Sequence, residues 1–115
     1  MAFNPKGQKP FHWTNHAKDK MRFYRLSEQR VLRVLHAPKR IEEGIASGTA
    51  AMMQANSVKC KMENGKRKEL WNQEIWVMTE ETKKQRKIIS AWRYPGMTKP
   101  GQPLPEEILR EMRDV

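Results

Sequence analysis

The chain is poor in cysteine and in long apolar segments, and both shortages limit what it can be. Cys60 is the only cysteine among 115 residues, which excludes an intrachain disulfide and favours a reducing compartment. No stretch approaches the roughly 20 apolar residues of a membrane span, and the first residues lack the apolar segment of a signal peptide. We therefore expect a cytoplasmic protein with no membrane partner, in which Cys60 is a core residue.

The motifs of metal and nucleotide chemistry are also missing. His12 and His16 are four residues apart, but no Glu or Cys stands at a useful spacing for metal ligation. Gly44 and Gly48 fit no glycine-rich phosphate-binding loop, and scattered residues do not define a Ser-His-Asp arrangement. We therefore expect no metal and no cofactor, which makes metal-dependent and nucleotide-binding enzymes poor candidates.

Positive charge is what the sequence has in excess. Lys and Arg number 23 against 13 Asp and Glu, and the formal net charge is +10. The excess belongs to the body of the chain, because residues 104–115 hold two arginines against four carboxylates. A domain this basic usually meets a polyanion, with nucleic acid as the first candidate. An acidic membrane surface comes second, since the sequence shows no long basic amphipathic helix with a broad apolar face, and a charge acquired by drift is the alternative to both.

The first part of the chain predicts two short helices. Thr14 is expected to cap a helix over residues 15–24, and Ser27 a second helix that ends at Ala37-Pro38. On the first helix, His16 and Lys20 lie one turn apart and are therefore neighbours on the surface. They flank an expected core stripe formed by Trp13, Ala17, Met21 and Tyr24.

After Pro38 the apolar period becomes that of strands. We expect an edge strand over residues 39–45, a half-buried strand over 58–63, and longer strands over 66–78 and 85–94; residues 50–55 fit strand or helix. Asn64-Gly65 is a strong hairpin signal, and the apolar run over residues 75–78 suits a central strand that is covered on both faces. Strand period places Ile88 with Tyr94 on one face of the last strand, and Ile89 with Arg93 on the other. Three tryptophans on these strands are expected in the core rather than stacked on bases: Trp71, Trp76 and Trp92.

These elements predict an α+β fold in which two N-terminal helices pack on a roughly four-stranded antiparallel sheet, followed by a short C-terminal helix. The predicted organisation is a flexible basic arm over residues 1–11, a domain over 12–95, a Pro/Gly linker over 96–105 and an acidic helix over 106–115. The acidic helix either limits access to the basic body or packs as an ordinary terminal helix.

The run from His16 to Val31, closed by Leu35-His36-Ala37-Pro38, resembles the opening of an uncharacterised small-domain family. In that family a His-Ala pair begins a helix, a basic residue and Met follow, and Ser-Glu starts a second helix. The family is grouped with the RelE/ParE and BrnT toxins, which pack two helices on a four-stranded antiparallel sheet. The resemblance covers residues 12–95, with Lys20 where the family usually has Arg and Arg25 where it usually has Gly.

The resemblance is compatible with two activities, because RelE-like members cut messenger RNA and ParE-like members poison gyrase. Action on RNA is the first hypothesis. His16 would be the proton shuttle and Tyr94 a stacking residue or auxiliary acid, while Lys20 and Arg93 would clamp the phosphate. We therefore expect a RelE-like toxin-superfamily domain that acts on RNA, for which metal-independent endoribonuclease is the candidate activity, and whose partner is nucleic acid, RNA ahead of DNA. An antitoxin-like protein would be a further partner.

Two alternatives use the same scaffold without catalysis. One is a nucleic-acid-binding module, and the other is an adaptor that docks a protein through the Met-rich residues 52–62 or the terminal helix. The basic residues expected to contact phosphates are Arg22 on the first helix, Lys59, Lys61, Lys66, Arg67 and Lys68 around the hairpin, and Lys83, Lys84, Arg86 and Lys87 around the next turn. The loop lysines equally suit protection of exposed strand edges against aggregation.

Overall fold

The computed structural model describes residues 10–44, 46–100 and 104–113. The elements are β1 (Phe11–Trp13), α1 (Asn15–Tyr24), α2 (Glu28–His36), β2 (Arg40–Glu43), β3 (Thr49–Asn56), β4 (Lys59–Glu63), β5 (Lys66–Leu70), β6 (Gln73–Glu81), β7 (Arg86–Tyr94) and α3 (Glu106–Arg113). Most of the predicted basic arm, part of the linker and the last two residues lie outside the described ranges. Within those ranges, no helix is long and apolar enough to cross a membrane.

The two N-terminal helices begin and end where the sequence predicts. The hydroxyl oxygen of Thr14 accepts a hydrogen bond from the Ala17 amide at 3.1 Å, which satisfies a donor that the first turn leaves free. Ser27 caps α2 in the same way, through the amide of Arg30 at 3.1 Å. The predicted helix bounds and both N-caps are therefore confirmed.

The main sheet has five strands in the order β1-β7-β6-β3-β2, with β1 parallel to β7 and the other pairs antiparallel. The predicted number of about four strands is therefore too low, and the sheet is mixed rather than antiparallel. The sequence signal misses β1 because three residues are too short to show a strand period. A second, two-stranded sheet consists of β4 and β5.

Helices cover both faces of the main sheet. Helices α1 and α2 pack on the face that carries Ile75, Val77 and Ala91. Helix α3 packs on the opposite face, which carries Trp76 and Trp92, and these two indoles are parallel with centroids 6.1 Å apart. The α+β class and the buried central strand β6 are thus as predicted, and α3 also reaches α1, because Glu111 contacts Lys20 and Tyr24.

A β-bulge corrects the predicted faces of β7. Met78 of β6 pairs with Ser90, but the next residue, Thr79, pairs with Ile88, so Ile89 has no partner in the register. One extra residue shifts the alternation by one position. Ile88 therefore lies with Ala91 on the face of α1 and α2, and Ile89 packs on the face of α3.

The strand predicted over residues 58–63 is present as β4, but its predicted half-burial is wrong. Strands β4 and β5 extend the β3–β6 hairpin beyond the main sheet, and every residue of both strands is exposed, Cys60 included. The alternation of Cys60 and Met62 with charged residues places these two side chains on one face of this ribbon and their charged neighbours on the other, and neither face belongs to the core. The Asn64-Gly65 hairpin is confirmed, because both residues adopt the positive φ angles, 52° and 75°, of a type I′ turn.

Candidate nucleic-acid interface

The β4–β5 ribbon carries its positive charge on one face. Residues paired across the two strands point to the same side, so Lys59 and Leu70, Lys61 and Lys68, and Glu63 and Lys66 share a face. We call these six residues the basic face; it holds four lysines against one glutamate. The opposite face carries Cys60, Met62, Arg67 and Glu69, whose charges balance.

The basic face is poorly neutralised within the protein. Lys61 and Lys68 stand directly opposite each other, and like charges in that position destabilise a strand pair. The ammonium of Lys68 is 4.0 Å from the Glu63 carboxylate, whereas the described chain offers no ion-pair partner to Lys59, Lys61 or Lys66. A two-stranded hairpin alone is marginally stable in water, and repulsion between its lysines lowers that stability further. The charge distribution therefore favours binding of an external anion.

The other face of the ribbon is tied to the body. The Lys39 ammonium contacts Glu69 at 2.8 Å and lies 5.2 Å from the centroid of the Trp71 ring. The hydrogen bond from Lys39 is the main reason why the pKa of Glu69 is lowered. Arg67 donates to the Cys60 sulfur at 2.9 Å, a contact that raises the pKa of Arg67. Arg67 is thus separated from the lysines with which the sequence groups it.

The second predicted basic cluster lies at the other end of the main sheet. Lys83 and Lys84 are exposed in the turn between β6 and β7, while Arg86 donates twice to Glu81, at 2.6 and 3.0 Å. Lys87 is half-buried and lines a separate hollow beside Glu80. The nine residues of β6 separate this turn from the ribbon, a distance of about 27 Å at 3.4 Å per residue.

Arg22 belongs to neither cluster. Its side chain is exposed on α1 and forms an ion pair with Asp19, one turn earlier in the same helix. Exposed pairs of this kind contribute little to stability, so the Arg22 guanidinium can leave Asp19 for a phosphate. Its position on α1 does not belong to the ribbon that carries the lysines. The predicted phosphate contacts therefore fall into three separate places: the ribbon, the β6–β7 turn and α1.

Arg93, a predicted phosphate clamp, is held by backbone oxygens at the end of α1. Its Nε donates to the Tyr24 carbonyl at 2.7 Å, and its guanidinium also reaches the Arg25 carbonyl and the Gln73 side chain, each at 3.1 Å. A cation is favourable there because the last carbonyls of a helix form the negative end of its dipole. Arg93 thus fastens α1 to the sheet.

Tyr94 lies on the opposite side of the sheet from Arg93 and packs in the α3 cluster. A Cβ added at Gly96 would lie 2.6 Å from its ring, so the chain turns closely around it. Burial raises the pKa of Tyr94, and the charges of Glu107 and Glu74 add to the effect. The structure therefore does not bring Tyr94 and Arg93 together.

Lys20 and His16 share one side of α1, and Lys20 is engaged by α3. The Lys20 ammonium lies 2.8 Å from Oε2 of Glu111, and the Tyr24 hydroxyl donates to Oε1 of the same carboxylate at 3.1 Å. Nε2 of His16 is shielded from solvent and has no hydrogen-bond partner among the described residues. Arg93 meets α1 at Tyr24, about 12 Å along the helix from His16 at 1.5 Å per residue.

A buried carboxylate near the root of the ribbon is not apparent from the sequence pattern. Glu74 is fully buried on β6, where it accepts from the indole nitrogens of Trp71 and Trp76 at 2.9 and 3.0 Å. The amide and hydroxyl of Thr98 donate to it as well, at 2.7 to 3.0 Å. The sequence signal that could have indicated this buried carboxylate is a lone glutamate close to two tryptophans, because an indole N–H is a donor that a buried carboxylate needs.

Comparison with protein-family models, curated proteins and solved structures found no match for this chain. The resemblance to RelE/ParE and BrnT toxins therefore stays a prediction. Among residues 10–44, 46–100 and 104–113, no group of three or more His, Cys, Asp or Glu is placed to hold a metal ion. The arrangement that the site offers is a one-sided cationic ribbon with an aromatic side chain at its root.

Proposed function

We propose that this protein binds nucleic acid, RNA ahead of DNA, through the basic face of the β4–β5 ribbon. The observation that carries the proposal is the placement of four lysines on one side of a fully exposed ribbon, two of them directly opposed. A phosphate backbone laid along this face relieves the repulsion and releases condensed counterions. The preference for RNA rests on the resemblance to RNA-cleaving toxins.

Protection of strand edges does not account for this arrangement. Lysines prevent a second chain from pairing with an open strand edge, and they do this equally well from either face of the strand. Here Lys59, Lys61, Lys66 and Lys68 all lie on one face, while the opposite face has balanced charge. Segregation to one face is what a ligand that approaches from one side requires.

Binding of a labelled single strand at several salt concentrations tests the proposal. An RNA of about 12 nucleotides fits the length range of single-strand sites, and four lysine–phosphate contacts predict a log–log salt slope near −2.8. Replacing both opposed lysines, Lys61→Ser with Lys68→Ser, should weaken binding at low salt and reduce the slope by about 1.4. Their removal should leave thermal stability unchanged or slightly higher, because it relieves a repulsive pair.

The matched control is Lys83→Ser with Lys84→Ser. It removes the same charge from an exposed turn at the other end of the sheet, so a purely nonspecific attraction would suffer equally from both double variants. We expect the control to bind within about twofold of the unmodified chain, since the turn is more than a Debye length away. Equal losses in the two variants, or no salt dependence, would refute the ribbon as the binding surface.

Cleavage of RNA is the second candidate function, and one observation favours it. A buried polar atom without a partner is uncommon, and Nε2 of His16 is such an atom on the helix side that also carries Lys20. A proton shuttle at this position requires the imidazole to become accessible when substrate binds. Lys20 would have to exchange Glu111 for a phosphate.

Incubation of pure protein with RNA in EDTA tests cleavage apart from binding. Loss of a general base costs about two orders of magnitude or more in rate, so His16→Ala should abolish most of the activity while ribbon binding persists. Arg93 is unsuitable as the second probe, because its substitution also disturbs the end of α1; Lys20→Met is the better one. Undiminished cleavage by both variants would assign the activity to other residues or to a contaminant.

A further inference from the structure

The root of the ribbon contains a hollow that the lysines alone do not explain. It has a volume of about 480 Å³ and is lined by Ser57, Lys59, Leu70, Trp71 and Asn72, a size within the range of small-ligand sites. Lys59 and Leu70 are the last cross-strand pair of the basic face. The hollow is therefore continuous with that face, and its lining adds an indole, an amide and a hydroxyl group to the line of cations.

We infer that this hollow takes an unpaired nucleobase stacked on Trp71, so that the ligand of the ribbon is single-stranded nucleic acid. The inference rests on the proposed function and specifies its ligand. Base–aromatic stacking tolerates every base, because each base has a π face. In a duplex the bases are stacked on one another and do not reach such a platform without being extruded.

Trp71 differs from the other strand tryptophans in being available. Trp76 and Trp92 are buried and stack on each other in the core, whereas Trp71 is only half-buried and lines the hollow. The expectation that strand tryptophans belong to the core is thus correct for Trp76 and Trp92 and correct in part for Trp71, which packs against the edge of the same core.

The Trp71 ring is also held in place before any ligand arrives. Its Nε1 donates at 2.9 Å to Glu74, and that carboxylate is fixed in turn by Trp76 and Thr98. A stacking platform already fixed by a partly buried hydrogen bond loses little rotamer freedom on binding, which favours affinity.

Charge around the hollow suits the phosphates that flank a stacked base. Lys59 lines the hollow itself, and the Lys39 ammonium lies 5.2 Å from the ring centroid of Trp71. Lys39 lies over the indole and contacts Glu69, so a base that stacks on this face of the ring requires Lys39 to swing aside, where its ammonium can meet a phosphate. From Lys59 the remaining lysines of the basic face continue along the ribbon, which gives the backbone of the strand a direction to follow.

The test compares three ligands of equal length: a single-stranded RNA, the same strand carrying abasic sites throughout, and the corresponding duplex. Loss of one stacked base should weaken binding by about fivefold to 150-fold, so the full chain should prefer the intact strand to the abasic strand by a factor in that range. It should also prefer the intact strand to the duplex. Equal affinity for the intact and abasic strands, or tighter binding of the duplex, would overturn the inference.

Two substitutions locate the effect at Trp71. Trp71→Leu removes the platform and should abolish the preference for intact over abasic RNA, while the salt slope that reports the lysines is retained. Trp71→Phe keeps an aromatic face but loses the hydrogen bond to Glu74, as Trp71→Leu does, so it should keep most of the preference. Any loss of stability that comes from the missing donor is common to both variants, and circular dichroism of each shows whether it folds. A preference that survives Trp71→Leu, or one that is lost equally in Trp71→Phe, would count against stacking on this ring.

Failure of this inference and failure of the proposed function look different. Absence of salt-dependent binding by the unmodified chain would remove the ribbon as a nucleic-acid site, and the hollow with it. Salt-dependent binding that is lost in the Lys61/Lys68 variant, but is indifferent to bases and to Trp71, would keep the proposed function and reject the stacked base.

Discussion

Nε of Arg93 donates a hydrogen bond to the carbonyl oxygen of Tyr24 at 2.7 Å, and thereby joins the last strand of the sheet to the end of the first helix. The same guanidinium reaches the carbonyl oxygen of Arg25, so two oxygens that α1 cannot satisfy internally share one cation. A side chain that looks like a phosphate clamp in the sequence is thus committed to the architecture.

We expect Arg93→Ala to lower the free energy of unfolding by about 1.5 to 3 kcal/mol, the range for hydrogen bonds to a charged group. Chemical denaturation measures the loss. Arg22→Ala is the matched control, because Arg22 is exposed and pairs with Asp19 of its own helix; it should stay within about 0.5 kcal/mol of the unmodified chain. An Arg93→Ala protein of unchanged stability that no longer binds RNA would instead make Arg93 a ligand-binding residue.

The contact of Lys20 with Glu111 predicts a measurable coupling between α1 and α3. Both side chains are largely shielded, so a double-mutant cycle with Lys20→Met and Glu111→Gln should give a coupling of about 1 kcal/mol, the upper end for exposed pairs. A coupling near zero would mean that the ion pair does not hold the helices together.

Glu111→Gln also tests whether the acidic helix limits access to the basic body. Ile108 and Met112 of α3 are buried, so deletion of residues 104–115 would uncover the core, and a single charge change is the cleaner probe. If α3 is an ordinary packing helix, RNA affinity should stay within about twofold of the unmodified value. A rise well beyond that, comparable with the loss from removing ribbon lysines, would support gating by the helix.

Arg25 predicts a stabilising substitution. It follows α1 in the left-handed conformation, at φ 56°, where a side chain costs about 1 to 2 kcal/mol and glycine is favoured. Arg25→Gly should therefore raise stability by about 0.5 to 1 kcal/mol once the added freedom of glycine in the unfolded chain is deducted. Asn64→Gly is the control, at φ 52°, and should change little because Asn adopts this conformation readily. A lower melting temperature for Arg25→Gly would show that the arginine side chain contributes to the fold.

Tyr24 predicts a dependence of stability on alkaline pH. Burial, followed by the charge of Glu111 and its hydrogen bond, raises the pKa of Tyr24 above 10.0. At a pH between the pKa of Tyr24 in the unfolded chain and its higher pKa in the folded chain, the native state holds the phenol proton more tightly. The contribution of Tyr24 to stability is therefore complete below pH 10 and falls as the pH rises above it. Tyr24→Phe should show a shallower loss of stability above pH 10 in denaturation experiments. An identical slope in both proteins would contradict the prediction.

The local features of this fold could be read from the sequence because neighbouring residues cause them. The caps at Thr14 and Ser27 depend on a hydroxyl placed just before a helix, and the Asn64-Gly65 turn depends on two residues that accept positive φ. The apolar run of β6 predicted a strand covered on both faces, and that strand is central in the sheet. Each of these signals is complete within a few positions of the chain.

What only the tertiary structure decided are the relationships between distant residues. The alternation around Cys60 correctly indicates a strand, but burial depends on whether another element packs on it, and here none does. The bulge at Ile89 exchanges the faces of β7 through its register with β6. The sequence alone determined that the chain is basic and where its lysines stand. The two-residue Asn64-Gly65 turn pairs Glu63 with Lys66 and thereby places four of these lysines on one face. The tertiary structure decided that this face stays exposed, because burial depends on whether a distant element packs on it.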